Sequence, residues 1–311
     1  MNTSKISVVI LVKNAERTIK ECLEALRDFN EIILLDNLSD DQTLEIAKKF
    51  ANVRIYQSDF IGFGALKNLA ISYAKNNWIL SIDSDEILEK ELLDEIKTIK
   101  LQEKTFYSFS RKNYYNNRWI KGCGWYPDYV KRLFNKTEIS FDDALVHEGL
   151  RIPRGFCENR LKGSIRHYSF ENITQLLGKM QHYSSLWAQQ NSHRNSSPFI
   201  ATLKGFWTFI RNYLFKRGFL YGYQGFVISI CNALGAFFKY MKLYENSLIP
   251  PSVSLIITTY NQKERLALVL DSVLKQKLMP KEILIADDGS GEDTREMILK
   301  YKDKFPPPPL V

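Results

Sequence analysis

The stretch "NNWILSIDSDEIL", residues 76–88, runs an apolar strand-like segment directly into Asp83, Asp85 and Glu86, with only Ser84 among them. Ionised groups at the end of a buried strand are costly unless something answers them. One of them can cap the helix that "EKELLDEIKTI" predicts, but three acids in four positions exceed what a cap needs. They therefore mark a site that can hold a hard divalent cation.

The surroundings say what kind of sheet carries this stretch. "ISVVILV" (6–12), "EIILLD" (31–36), "VRIYQSD" (53–59) and "WILSID" (78–83) are short and apolar on both faces, the pattern of parallel strands covered by helices. Between the first two, Ile19, Cys22, Leu23 and Leu26 fall at i, i+3, i+4 and i+7 and predict one helix face. Further helices are expected after "SDDQT" and near 64–75. No strand is followed by G-x-G-x-x-G or GxxxxGK[ST], which excludes the usual dinucleotide and P-loop sites. From 105 to 170, stretches such as "TFYSFSRKNYYNNRWI" and "YVKRLFNK" predict antiparallel strands and long loops of the kind that shape substrate sites.

The 311 residues suit about two domains on a prior of roughly 150 residues each. The net charge of +8 is uneven, since residues 151–245 hold 13 lysines and arginines against 3 acids. Those bases alternate with Phe, Trp, Leu and Ile, which fits a lipid surface and argues against nucleic acid. Residues 218–238 carry no charge, long enough to cross a bilayer, but Gln224, Asn232 and four glycines make a poor span. An in-plane arrangement, with Arg211, Lys216, Arg217, Lys239 and Lys242 on headgroups, is the expectation, and a helical cap on the sheet is its plain competitor. The N-terminus shows no secretory cleavage site, and the four cysteines form no CxxC pair, so a cytoplasmic chain without zinc knuckle or disulfides is expected.

Residues 252–294 repeat 6–43: Asn14 matches Asn261, Asp36 matches Asp287, Ser39 matches Ser290 and Thr43 matches Thr294. The second copy ends before any counterpart of Asp83 and Asp85, in "FPPPPLV". The expectation is an incomplete second domain, from truncation or a frameshift in a cytosine-rich coding tract.

Taken together, "VKNAE", "LLDNLSDDQT" and "GALKNLAISYAKNNWILSIDSDE" resemble the inverting glycosyltransferases of family 2. "GCGWYPDYVKRLFNK", "VHEGL" and "IRHYSF" resemble the branch that adds glucose to the heptose core of lipopolysaccharide or lipooligosaccharide. The resemblance implies an α/β GT-A fold with a mostly parallel sheet flanked by helices over 1–171, a basic amphipathic helical region over 172–250, and a partial second GT-A unit over 251–311. It also implies a UDP-sugar donor, a glycolipid core acceptor, Mg²⁺ or Mn²⁺, and a peripheral place on the inner face of the cytoplasmic membrane.

Site roles follow from the same motifs. Asp83 and Asp85 match the DxD element, and His167 the histidine that completes contact with metal or diphosphate. Asn14, Glu16, Asp36, Lys67, Asn68 and Asp83 fall on donor-binding positions, Asp36 at that of the acid bound to uracil. Glu148 stands where the family's general base stands, with Asp128 as fallback. Trp125, Arg132 and His147 are expected at the acceptor, and whether His147 shares in the proton transfer stays open. Lys131 reads as a solvated strand residue. The alternatives are transfer to another cell-surface glycan, an inactive membrane-associated remnant, or a phosphatase with an aspartate nucleophile, which this placement after a fourth strand disfavours.

Overall fold

A computed structural model of the chain describes residues 1–142, 149–248, 253–276, 279–302 and 304–305. It falls into two compact units, 1–243 and 244–311.

In the first unit the predicted alternation is realised as β1 (Ile6–Val12), α1 (Ile19–Ala25), β2 (Ile32–Asp36), α2 (Thr43–Ala47), β3 (Val53–Gln57), α3 (Phe63–Ser72) and β4 (Trp78–Asp83). All four residues of the predicted α1 face, Ile19, Cys22, Leu23 and Leu26, are fully buried. The strands pair in parallel in the order β3-β2-β1-β4. Their register sets Val12 beside Asp36 and Leu11 beside Asp83, so both acids reach the carboxyl edge of the sheet. Ligands of open α/β sheets bind at that edge.

The rest of the unit continues as β5 (Glu86–Leu88), α4 (Lys90–Thr98), β6 (Thr105–Tyr115), β7 (Arg118–Trp119), β8 (Tyr129–Asn135), β9 (Ser140–Phe141), β10 (Leu150–Arg151) and β11 (Cys157–Phe170). The sheet is mixed. β8 runs antiparallel to both β4 and β6, β11 runs parallel to β6, and β5 closes the far edge antiparallel to β11. Only Ser84 and Asp85 link β4 to β5, a reach of roughly 10 Å. The far edge must therefore curl back beside the end of β4. The β4–β8 pairing stops at Leu80, which leaves the gap into which that edge folds.

The helices α5 (Ile173–Gln190), α6 (Pro198–Ile210) and α7 (Gly222–Leu248) follow. Asn172 caps α5 and Ser197 caps α6, where Pro198 takes the first turn as its missing N–H allows. Leu176 of α5 and Ile228 and Cys231 of α7 share a core with Tyr115, Ile120 and Cys123, which packs these helices onto the sheet unit. Gly225 lets the first turn of α7 lie close against the turn before it, since a Cβ there would lie 1.9 Å from the Gly218 carbonyl oxygen. Lys242 donates to Ser184 and Ser185 on α5, each at 2.8 Å. Gly218–Leu248 is long and apolar enough to cross a membrane.

The second unit contains β12 (Ser254–Thr259), α8 (Lys263–Leu274), β13 (Glu282–Asp287) and α9 (Glu292–Lys302), with a core of Leu266, Leu270, Val273, Ile283, Met297 and Tyr301. Its parallel strands set Thr259 beside Asp287, as β1 and β2 set Val12 beside Asp36.

Candidate active site

A cleft of 870 Å³ opens where β1 and β4 end and β8 and β11 pass. Among the described residues, Lys13, Lys67, Arg111, Lys131, Arg132 and Lys179 line it together with two acids, Asp83 and Asp85. That imbalance suits a polyanionic ligand such as a diphosphate.

Asp83 ends β4 with both carboxylate oxygens engaged. Lys67 Nζ, from α3, lies 3.1 Å from Oδ1, and Arg132 of β8 donates to Oδ2. Burial pushes this carboxyl up, but the Arg132 and Lys67 charges outweigh it and hold it well below the usual carboxylate range. The third acid of the motif, Glu86, is fully buried. It accepts from the Asp83 N–H at 3.0 Å, from Arg132 at 2.6 Å and from Arg111 at 3.3 Å. Arg132 is thus shared by two acids, while its Nε stays buried with no partner among the described residues. Beneath them, burial and then the charges of Glu86, Asp85 and Asp83 push the Cys22 thiol far above its ordinary value, so it is no nucleophile.

Asp85 faces the cleft from the turn, with Oδ2 at 3.2 Å from His167 Nε2. Strand pairing puts them there, because β5 and β11 align Glu86 with His167. A relay of hydrogen bonds fixes the imidazole. Asn113 Nδ2 donates to Asp128 Oδ2 at 2.9 Å and to the Trp125 carbonyl at 3.2 Å, so the amide must turn its oxygen to His167 Nδ1, 2.7 Å away. Nδ1 is thus engaged by Asn113 Oδ1 and by the Ser169 hydroxyl at 2.8 Å, and Nε2 is the nitrogen presented to Asp85.

A carboxylate and an imidazole side by side on a cation-lined wall fit Mg²⁺ or Mn²⁺. Among the described residues no three His, Cys, Asp or Glu side chains converge. Such ions accept this, being held by one or two carboxylates together with water and substrate phosphates. Asp85 and His167 are the pair placed for it, and Asp83, expected as a ligand as well, is committed to Lys67 and Arg132.

The other expected residues divide. Arg132 and Lys67 line the cleft. Asp128 holds Arg111 Nε at 2.9 Å as well as Asn113, which makes it a positioning acid in this geometry. Trp125 stacks near Phe170, with ring centroids 5.8 Å apart. Lys131 is exposed, as expected, beside the Phe106 ring. Asn68 makes a two-way clip to the backbone of Phe141, at 3.0 and 2.9 Å, and so anchors β9, which pairs with β10. Glu148 and His147 lie outside the described residues; Phe141, Gly149 and Leu150, which flank their segment, line the cleft.

Asn14, Glu16 and Asp36 form a latch between two loops instead of lining the cleft. Asp36 is fully buried and accepts from the Ser39 N–H and hydroxyl and from Gln57 at 3.0 Å. Ser39 Oγ accepts from the Asn14 N–H, Asn14 Oδ1 from the Asp40 N–H, and Glu16 from the Gln42 N–H. The second unit repeats this with Asn261, Asp287 and Ser290. Asn14 and Asn261 even share a left-handed backbone, with φ of 50° and 48°.

Arg111 and Asn113 went unassigned in the sequence. The available signal was polar residues at i and i+2 in a strand otherwise buried, which puts both on one face.

A mixed, curled sheet flanked by helices, with acids at the strand ends, is the GT-A architecture of sugar-nucleotide transferases. Residues 7–147 and 254–310 match the family described as glycosyl transferase family 2, and the chain belongs to that family and is a transferase. An uncharacterized glycosyltransferase of Rickettsia typhi is 31% identical over 258 residues, covering 78% of this chain and 88% of its own. The lipopolysaccharide core biosynthesis glycosyltransferase LpsC of Rhizobium meliloti is 26% identical over 259 residues, 77% of this chain and 92% of its own. Among solved structures, S. aureus TarS 1-349 aligns with 58% of this chain and 64% of that chain, at 19% identity and a TM-score of 0.38.

Proposed function

We propose that the chain moves a hexose, glucose from UDP-glucose, onto an inner-core heptose of lipopolysaccharide or lipooligosaccharide, with inversion, at the inner face of the cytoplasmic membrane. The observation that carries this is the Asp85–His167 pair beside the charge-clamped Asp83 at the carboxyl edge of the sheet. The name of the LpsC relative supports the acceptor class, and the exposed Phe199, Phe206, Trp207 and Phe215 support a membrane surface.

Asp85 and His167 would hold a divalent ion, which would supply neutralisation of the charge on the departing diphosphate. The chain's own groups do the rest. Lys67 and Arg132 hold Asp83 ionised and fixed where the nucleotide sugar docks. Asn113, held by Asp128, and Ser169 keep the His167 ring in place. Inversion needs a base for the acceptor hydroxyl, worth about 10²- to 10⁴-fold. Since Asp128 is bound to Arg111 and Asn113, that role falls to Glu148.

A panel of nucleotide sugars with Mn²⁺ or Mg²⁺ on heptose-terminated core, followed by linkage analysis, tests the donor and the acceptor. Asp85→Asn should abolish metal-dependent transfer and leave the circular dichroism and melting curve unchanged. Unaltered turnover in that variant would sink the assignment.

A further inference from the structure

A second cavity, of 710 Å³, lies among α5, α6, α7 and the edge of the sheet. Arg111, Lys179, Lys204, Arg211, Lys216 and Lys239 line it, and among the described residues no acidic side chain does. Arg111 is answered by Glu86 and Asp128, whereas the other five have no ion pair among the described residues. Three of the lysines lie over rings instead: Lys179 over Phe170 at 5.0 Å, Lys239 over Trp187 at 5.7 Å and Lys204 over Tyr240 at 5.9 Å. Trp125 and Tyr183 complete an aromatic wall.

Like charges gathered around one open cavity raise its positive potential and concentrate an anionic ligand there. A neutral sugar would leave them unanswered, and a nucleic acid needs a track, not a pocket. The aromatic wall asks for apolar or sugar-ring surface on the same ligand. Arg111, His167, Lys179 and Tyr183 border both this cavity and the cleft, so a ligand seated here reaches the transfer site.

We propose that the cavity binds the phosphate-bearing part of the lipid acceptor, an anionic amphiphile, and presents its hydroxyl to the cleft. This rests on the transferase reading above.

Monododecyl phosphate, below its micelle concentration, is the probe for the full-length chain, with binding read from tryptophan fluorescence, since Trp125 and Trp187 line the cavity. Lys204→Gln/Lys239→Gln should weaken that binding roughly tenfold, as expected for two lost charge-assisted contacts. Lys204→Arg/Lys239→Arg should retain it, which separates lost charge from a damaged fold. UDP binding, measured by calorimetry on the same proteins, should not change. Equal affinity for inorganic phosphate would overturn the amphiphile. Unchanged dodecyl phosphate binding in the glutamine variant, with binding to phosphatidylglycerol vesicles lost, would overturn the cavity and assign these lysines to the bilayer. If no variant or parent binds UDP, the UDP-sugar reading fails on its own, whatever dodecyl phosphate does.

Discussion

Arg132 is the one residue that bridges Asp83 and Glu86 among the described residues, each of which has one further cation, Lys67 and Arg111 respectively. Replacing it with methionine takes the shared charge from both acids. Arg132→Met should lower stability by about 3 kcal/mol, the usual cost of breaking a buried pair, in urea denaturation at neutral pH. The pH dependence has a definite sign. The folded-state value of Asp83 is depressed, so its contribution is complete above its unfolded value of about 3.9 and is lost as the pH falls below that toward the folded value. Wild type should therefore lose stability on acidification below about pH 4 more steeply than Arg132→Met does. Asn113 acts one step further out. Asn113→Ala removes one of the two side-chain partners of His167 Nδ1 and leaves Ser169, and Mn²⁺ affinity read by electron paramagnetic resonance should drop about 10-fold, the low end of the range typical for loss of a residue that orients a ligand.

At the level of elements, the parallel strands and the α1 face were legible because local periodicity reports burial directly. Asp83, Asp85 and His167 were legible as a pattern of motifs. The partners of Asp36 were not: an acid ending a strand reads the same whatever it meets, and the structure shows it buried against Ser39 and Gln57. Equally hidden was the pairing of β5 with β11, which no local signal encodes across so much intervening chain. The latch makes its own prediction. Asn14 sits at φ 50°, so Asn14→Val should cost about 1–3 kcal/mol in the first unit by forcing a branched side chain into a left-handed backbone, while Asn14→Gly keeps that backbone at smaller cost. Chemical denaturation of the two variants side by side checks the order.

Over the whole molecule, charge and apolar exposure fall on the same helices. Residues 151–245 carry the excess of positive charge, and α6 exposes Phe206 at 65% and Trp207 at 55%. Binding to anionic vesicles should therefore have two components. Raising salt to about 1 M, where the screening length is near 3 Å, should remove the electrostatic part. Phe206→Ser/Trp207→Ser should reduce the salt-resistant remainder by at least about tenfold in a flotation assay.

The alignment of Glu86 with His167 also bears on how the molecule matures. Asp85 and His167 lie about 80 residues apart, and closing so long a loop is entropically slow, so contacts of this range form late. A chain emerging from the ribosome would display its acidic triplet well before β11 exists to complete the pocket. Acquisition of metal affinity would then report the finished first unit, and sugar-nucleotide chemistry would stay silent in every partly folded form.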